Sequence, residues 1–578
     1  MVRPAVSRVA AVRGEAPEAL MTNKLKVVVF SAGEWTFDRE RIVRTLLDDE
    51  RFEIALIVID EYRRSIGKRA RFLLRVWGPW KLAASALVSV ADRIADLPAR
   101  LFRAWHDHFV PPVHPEISLI ERPDIPVIRV PDINAPEAIQ RVIDAAPDLG
   151  IILGGRILKS DLIHAPRLGT LNIHKHDVHR YRGGAEIGYP EILNGDRELG
   201  LTVHWATAEV DAGAVVATGS IPLERFDTIG SLKLKADCAS IDLYAGAIRK
   251  VAAAERHRVG TPAEPLGPVL YSTPIVDRIT QEREIDRQRR RFARAEAALG
   301  LSPLHVRAAR AARTGVAYAA LPYLKMKREQ LAAQTHAPIV ILYYHGISNA
   351  AENWMTLDLV SFHRQIEYLR RYFDILPLDA AVAALRAGTR QQPAVVLTFD
   401  DGYASALAEL LPYLKARELP ATFFVCAAAA NGSYTLKHDL DRGFGRVPLM
   451  DTSGWKQIAD SGFEIGCHGY AHEDMATLDE PQLRHAMIAA ADIISARIGR
   501  PIRYFSFPFG NRRNMSAQAL DVAGERFDAV FSAYGGYNIP GQSGPFHFTR
   551  FSNPVDIGSL TAIMNGLHRM TPYYRDLA

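Results

Sequence analysis

A chain of 578 residues, 48% hydrophobic and 23% charged, is long enough to form two or more packed domains. Its formal charge of +5 is mild for this size and does not by itself call for nucleic acid or an anionic membrane. Three cysteines (Cys238, Cys426, Cys467) with no C-x-x-C pair exclude a disulfide framework as the organising device.

Residues 1–23 are basic and rich in small side chains, without the apolar core of a secretory signal. They read as a disordered arm, and Met21 is a second candidate start. No run approaches the roughly 18 apolar residues of a membrane span, the longest candidate being Leu82–Ala91. This predicts a soluble, cytoplasmic protein. From Lys24 the pattern alternates: KVVVFSAG as a strand ending in a Gly turn, RERIVRTLLDD as a helix and FEIALIVID as a second strand. Such a start predicts a parallel α/β sheet, and SAGEW is no G-x-G-x-x-G loop, so a nicotinamide cofactor is not expected. Residues 62–111 read as a helical insertion, basic early (Arg63, Arg64, Lys68, Arg69, Arg71, Arg75) and carrying Trp77, Trp80 and Trp105. An amphipathic packing helix is one reading, and contact with a membrane surface or partner the other. The strand–helix rhythm resumes at IPVIRV and DLGIILGG.

The next stretch is chemically dense: TLNIHKHDVHRYRGG (170–184) and GLTVHWATAEVDAGAVV (200–216). Four histidines near an Asp would suit a metal, and a strand end with polar turn residues is the plainer alternative. Yet Asn-x-His, Tyr-Arg-Gly, Thr-Val-His and Val-Asp-Ala-Gly, in this order, resemble the folate-dependent formyltransferases of methionyl-tRNA, glycinamide ribonucleotide and sugar amines. The resemblance spans about Lys24–Pro274. It implies a Rossmann-like domain with 10-formyltetrahydrofolate as donor and Asn172, His174 and Asp211 as catalytic residues. Asn172 and a protonated His174 would stabilise the tetrahedral oxyanion, while Asp211 orients the imidazole and helps relay the amine's proton. The loop departs from the family, with HDVHRYRGG where Ser-Leu-Leu-Pro usually precedes Tyr-Arg-Gly.

After GPVLYSTP the composition turns charged and Ala-rich, predicting a helical linker over residues 276–336. Nothing reads as the β-rich tRNA-binding domain of methionyl-tRNA formyltransferases, so no nucleic acid partner is expected. No internal repeat is found.

The last part opens with YYHGI (Tyr343–Ile347) and then VVLTFDDGY (Val395–Tyr403), an apolar strand ending in adjacent aspartates and a glycine. Adjacent carboxylates repel, so they seldom share a buried structural role without a cation. The plain alternative is a solvated Asp-Asp-Gly turn. IGCHGYAHEDM then sets His468 and His472 four apart, either on one helical face or across a tight loop. Aromatic-rich RYFSFPFG (Arg503–Gly510) suits a groove for flat sugar faces, and taken alone it reads as ordinary core.

In this order the three segments resemble the polysaccharide-deacetylase family, which includes the nodulation chitooligosaccharide deacetylases, from about Ile339 to Met570. The resemblance implies a distorted (β/α) barrel and metal-assisted hydrolysis of N-acetyl, sometimes O-acetyl, groups. Asp401, His468 and His472 would hold Zn²⁺ or another divalent metal, with Asp400 as general base and Phe507, Pro508, Phe509 and Gly510 lining the substrate site. The arginine that many members carry beside the base is replaced by Ser506, and the general acid stays open between His547, His568 and an unidentified residue.

The expected α/β organisation is therefore a disordered 1–23, a formyltransferase-like 24–275, a helical 276–336 and a deacetylase 337–578. The expected substrate is an amino sugar or related small molecule, deacylated by one half and formylated by the other. Alternatively, a deacetylase or deformylase acts alone, with the first half as a binding module. Oligomeric state is left open.

Overall fold

Central parallel strands are covered on both faces, so they read as unbroken apolar runs. Leu25–Ala32 and Phe52–Asp60 are two such runs and pair in parallel. The computed structural model describes residues 24–566 apart from 34, 63–65, 96, 111–117, 255–258, 297–314, 317, 351–352 and 553–556. The arm expected over 1–23 and His568 lie outside the described residues.

The first sheet runs Val127–Val130, Phe52–Asp60, Leu25–Ala32, Leu149–Ile152, Thr170–His174, Glu198–Trp205, Val215–Pro222. The first five strands are parallel, and the last two form an antiparallel hairpin on the edge. Val27 and Val29 join one hydrophobic cluster with helices Phe37–Leu47 and Ile229–Ala253; Val28 and Phe30 join the opposite one under Pro136–Asp144. That two-sided cover is the Rossmann-like architecture expected. The edge hairpin was not foreseen, and its register sets Asn172 opposite His204 and His174 opposite Thr202.

Between the sheets lie helices Ile275–Glu296 and Leu321–Ala333. The second sheet is parallel, in the order His547–Thr549, Ala529–Ser532, Tyr504–Ser506, Glu464–Cys467, Thr422–Val425, Ala394–Phe399, Ile339–Tyr344, Phe551–Ser552. Its two outermost strands are consecutive in the chain, with only Arg550 between them. One pairs with Ala529–Ser532 and the other with Ile339–Tyr344, so a single residue carries the chain from one edge to the other and curls the sheet into a distorted barrel. Side chains alternate accordingly. Ile339, Ile341, Val396, Phe424, Tyr504 and Phe531 form one cluster, and Val340, Leu342, Leu397, Phe423, Phe505 and Phe507 another with the surrounding helices.

The two halves share a buried ionic contact. Lys235, on helix Ile229–Ala253, is 2.9 Å from Asp227 and 3.1 Å from Glu409 of the second half. Asn349 Nδ2 donates to Asp227 at 2.7 Å, and Ser348 Oγ donates to Glu409 at 2.8 Å. Burial would depress the Lys235 ammonium, but the two carboxylates hold it above its ordinary range. Removing one partner of such a network leaves a buried charge unpaired, at a cost of about 3–5 kcal/mol.

Candidate functional site

In an α/β barrel, reactive side chains gather where parallel strands end. Ala394–Phe399 ends at Asp400, whose N–H donates to Tyr344 O at 2.8 Å. The next two residues turn left-handed, Asp401 at φ +70° and Gly402 at φ +74°. A non-glycine at positive φ is strained, and such strain persists where the surroundings over-determine it. Here it swings the Asp401 carboxylate into a ring of imidazoles. His468 Nε2 and His472 Nε2 each lie 3.4 Å from Oδ1, with His438 Nε2 at 3.7 Å and His345 Nε2 at 3.9 Å from Oδ2. His468 follows strand Glu464–Cys467, and His472 reaches the site across a loop, at φ +58°, rather than on a helical turn.

Asp401 is 1% exposed, and neither carboxylate oxygen has a hydrogen-bond partner. A buried acceptor with no donor carries its full desolvation cost. One oxygen of Asp401 and one ring nitrogen each of His468 and His472 lie within 4.8 Å of one another, the donor set and spacing of a divalent cation site with room for further ligands. His468 Nδ1 is 2.8 Å from Ser506 O, which fixes the tautomer and turns Nε2 toward Asp401. Burial pushes the Asp401 carboxyl up, but the surrounding imidazoles hold it well below the usual carboxylate range.

Asp400 is held differently. Arg550 donates to both its oxygens, at 2.8 and 2.7 Å, and also to Ser506 Oγ at 2.6 Å and Thr398 Oγ1 at 3.1 Å. Arg550 is 1% exposed and lies over the Tyr343 ring, 4.8 Å from its centroid. Burial would raise the Asp400 pKa, yet the guanidinium keeps it below the ordinary value. The arginine missing at position 506 is thus supplied from position 550, by the residue that closes the barrel, and Ser506 becomes its hydrogen-bond partner.

Of the four expected lining residues, Phe509 is 46% exposed and its ring centroid stands 4.5 Å from that of His472. Pro508 and Gly510 are buried beneath it. Phe507 does not reach an open groove: it is 1% exposed, packed against Phe505 on the helix-facing side, because side chains two apart in a strand share a face. His547 hydrogen-bonds Ser532 Oγ at 2.8 Å. His438 was missed because KHDLD carries no motif. It meets Asp401 only through tertiary packing, 3.1 Å from Tyr403 OH and beside Trp354. His345 stood in the quoted YYHGI without a role.

The first half brings Asn172, His174 and Asp211 together. Asp211, also left-handed at φ +49°, accepts from Gly183 N at 2.9 Å and Asn172 Nδ2 at 3.3 Å. His174 Nδ1 lies 3.5 Å and His204 Nε2 3.4 Å from it. His174 Nε2 is 3.0 Å from Tyr181 O. Burial pushes the His174 pKa down to about 4, against the attraction of Asp211, so the imidazole rests neutral at pH 7. Asp211 sits at about 2, where burial is outweighed by His204, His174 and the Gly183 amide. The altered loop supplies a second dyad, His176 Nδ1 to Glu191 Oε1 at 2.7 Å, with both residues almost fully buried. Lys175 bridges Asp38 at 2.9 Å and Asp237 at 2.5 Å.

A polysaccharide deacetylase family model matches residues 387–527 and a formyl transferase family model residues 119–248. Methionyl-tRNA formyltransferase of Lactiplantibacillus plantarum is 34% identical over 133 residues, 23% of this chain and 42% of that protein. That of Enterococcus faecalis is 30% identical over 179 residues, 31% of this chain and 55% of the relative. The chain thus spans only about half the length of these relatives. Among solved structures, IcaB from Ammonifex degensii is 21% identical at a TM-score of 0.34, covering 40% of this chain and 97% of that one. Phosphoribosylglycinamide formyltransferase from Bacillus halodurans is 17% identical at a TM-score of 0.27, covering 40% and 97%. The chain thus carries a segment that matches the formyl transferase family model and, after it, one that matches the polysaccharide deacetylase family model.

Proposed function

We propose that this fusion enzyme removes an N-acyl group, acetyl in the first instance, from an amino sugar or related small molecule and formylates an amine of the same kind. The reading rests above all on Asp401, whose two buried, donor-free oxygens face four imidazoles. A divalent metal, Zn²⁺ by donor chemistry, would be held by Asp401, His468 and His472 and would supply Lewis acidity to the amide carbonyl. Asp400, kept ionised by Arg550, takes the proton of the attacking water. His438 stands on the other side of Asp401, where it can hand a proton to the departing amine nitrogen. Phe509 at the rim offers a flat face to a sugar ring.

In the first half, the acceptor amine attacks the formyl carbon of 10-formyltetrahydrofolate. Asn172 and His174 stabilise the oxyanion, and Asp211 orients them and relays the amine proton. A neutral resting His174 can accept that proton before donating it to the folate nitrogen. A small-molecule acceptor is preferred to tRNA because the described residues after 275 form helices and then the barrel. A cytoplasmic setting follows from the formyl donor, an intracellular metabolite.

The test is mass spectrometry of products from free and nucleotide-linked N-acetyl sugars, with and without formyl donor and Zn²⁺. Acetate release followed by an N-formyl product is expected; accumulation of free amine alone would remove the coupled reaction. One observation favours a second reading, hydrolysis alone with the first half as a binding module. The Asn172 amide already donates to Asp211, and His174 Nε2 already faces the Tyr181 carbonyl, so the oxyanion donors are engaged at rest. On that reading, His174→Ala leaves every product unchanged.

A further inference from the structure

Surface helices ordinarily turn apolar side chains inward and polar ones to water. The insertion in the first half turns part of its apolar surface outward. It consists of helix Ile66–Ala95, broken at Gly78 (φ +78°) and Pro79, and helix Leu97–Phe109. Among the described residues, seven of the 21 large exposed hydrophobic side chains lie between Leu74 and Trp105. After the break, Trp80 (87% exposed), Leu87 (74%) and Val90 (55%) fall on one helical stripe, with exposed Ala83 between the first two.

The inward face is mixed, with Leu82 and Val88 half-buried beside polar anchors. Ser85 is 2% exposed and its hydroxyl accepts from Val276 N at 3.2 Å, while Ser89 Oγ donates to Ser85 O at 2.8 Å. Trp77 Nε1 donates to Ser272 O at 2.7 Å, and Lys81 pairs with Asp277 at 2.6 Å. These bonds anchor the helix on one side and leave the Trp80–Leu87–Val90 stripe uncovered on the other.

Charge identifies what covers it. From Arg63 to Ala91 there are seven Lys or Arg residues and no Asp or Glu. An apolar stripe bearing Trp, flanked by cations without acids, has the chemistry of a helix lying in the interface of an anionic bilayer. A second copy fits poorly, because a two-fold contact sets the same patch against itself and would oppose the two basic segments. No helix among the described residues is long and apolar enough to cross a membrane, so the contact is peripheral.

We propose that the insertion seats the Trp80–Leu87–Val90 stripe at the headgroup–acyl boundary of an anionic membrane, with the exposed Arg71 and Arg75 on lipid phosphates. The full chain is sedimented with vesicles of phosphatidylcholine, with and without phosphatidylglycerol. Binding is expected only with phosphatidylglycerol and should weaken as salt rises, because surface charges are screened over about 10 Å at 0.1 M. Trp80→Ser with Leu87→Ser should lower the partition coefficient by about tenfold or more, since inserted apolar area sets much of the affinity. Arg71→Glu with Arg75→Glu should abolish binding. Both pairs replace exposed side chains and should leave the melting temperature unchanged, which separates lost docking from lost folding. The proposal is overturned if wild type ignores phosphatidylglycerol vesicles, binds both compositions equally, or binds undiminished after the Trp80/Leu87 change. It is equally overturned if light scattering finds a dimer that this change dissolves while vesicles stay unbound.

Discussion

Each half places an aspartate at positive φ among histidines, yet the two carboxylates are satisfied in opposite ways. Asp211 accepts from the Gly183 amide and from Asn172, so its charge is met by hydrogen bonds, and its task can be orientation. Asp401 has four imidazoles within 3.9 Å but no hydrogen bond to either oxygen. A buried carboxylate left without donors needs a cation, whereas one already supplied with donors does not. The same residue type with similar neighbours is thus left open to a cation in one half and met by protein donors in the other.

The largest break of this contrast comes from removing the unsatisfied acid. Asp401→Ala should abolish stoichiometric Zn²⁺ binding, read by elemental analysis of the dialysed protein, and amide hydrolysis with it. Formyl transfer should persist. Next, Asp400→Asn should keep the metal but slow hydrolysis by about 10²–10⁴-fold, the usual weight of a general base.

His174→Ala should slow formyl transfer by about 10²–10³-fold, the scale for one oxyanion group, with acetate release untouched. Arg550→Met sharpens the comparison further, because it strips Asp400 of its only buried cationic side-chain donor among those described. A cost of about 3–5 kcal/mol is expected, measured by chemical denaturation. Asp400 is held below its ordinary pKa by this guanidinium, so its ionised form survives acidification. Losing Arg550 should move the acid limb of the hydrolysis pH profile to higher pH.

The smallest effect concerns pH and stability. His174, His106 beside Tyr368 and Tyr372, and His363 beside Phe37 and Tyr413 are pushed down by burial to about 4 each, below the ordinary 6.5. Groups whose folded pKa is depressed contribute stability that is complete above the unfolded value and is lost as pH falls toward the folded one. Melting temperature should therefore hold above pH 6.5 and decline from there toward pH 4. A flat profile across that window would contradict neutral, buried imidazoles.

Much of both folds was legible from residue patterns. Val27–Phe30 and Val395–Phe399 read as buried strands because parallel strands need apolar side chains on both faces. Asp400-Asp401 stood out as paired carboxylates after an apolar strand, and His468 and His472 by being four apart. Phe507 was misplaced as a lining residue because its aromatic character says nothing of which face it takes; strand alternation buries it beside Phe505. His438 and Arg550 were not legible as site residues, since each meets Asp401 or Asp400 across more than 35 positions of chain.

What the sequence determined by itself was therefore local: two α/β halves and two sets of reactive residues, with Ser506 where the family resemblance leads one to expect an arginine. Only the tertiary structure decided how that substitution is compensated. Barrel closure passes the chain through position 550 between the two sheet edges, and the same step delivers a guanidinium to Asp400. Likewise, an antiparallel edge hairpin set His204 against Asn172, and a buried lysine tied the halves together. Contacts of this kind depend on which distant strands become neighbours, and no spacing within a motif encodes that.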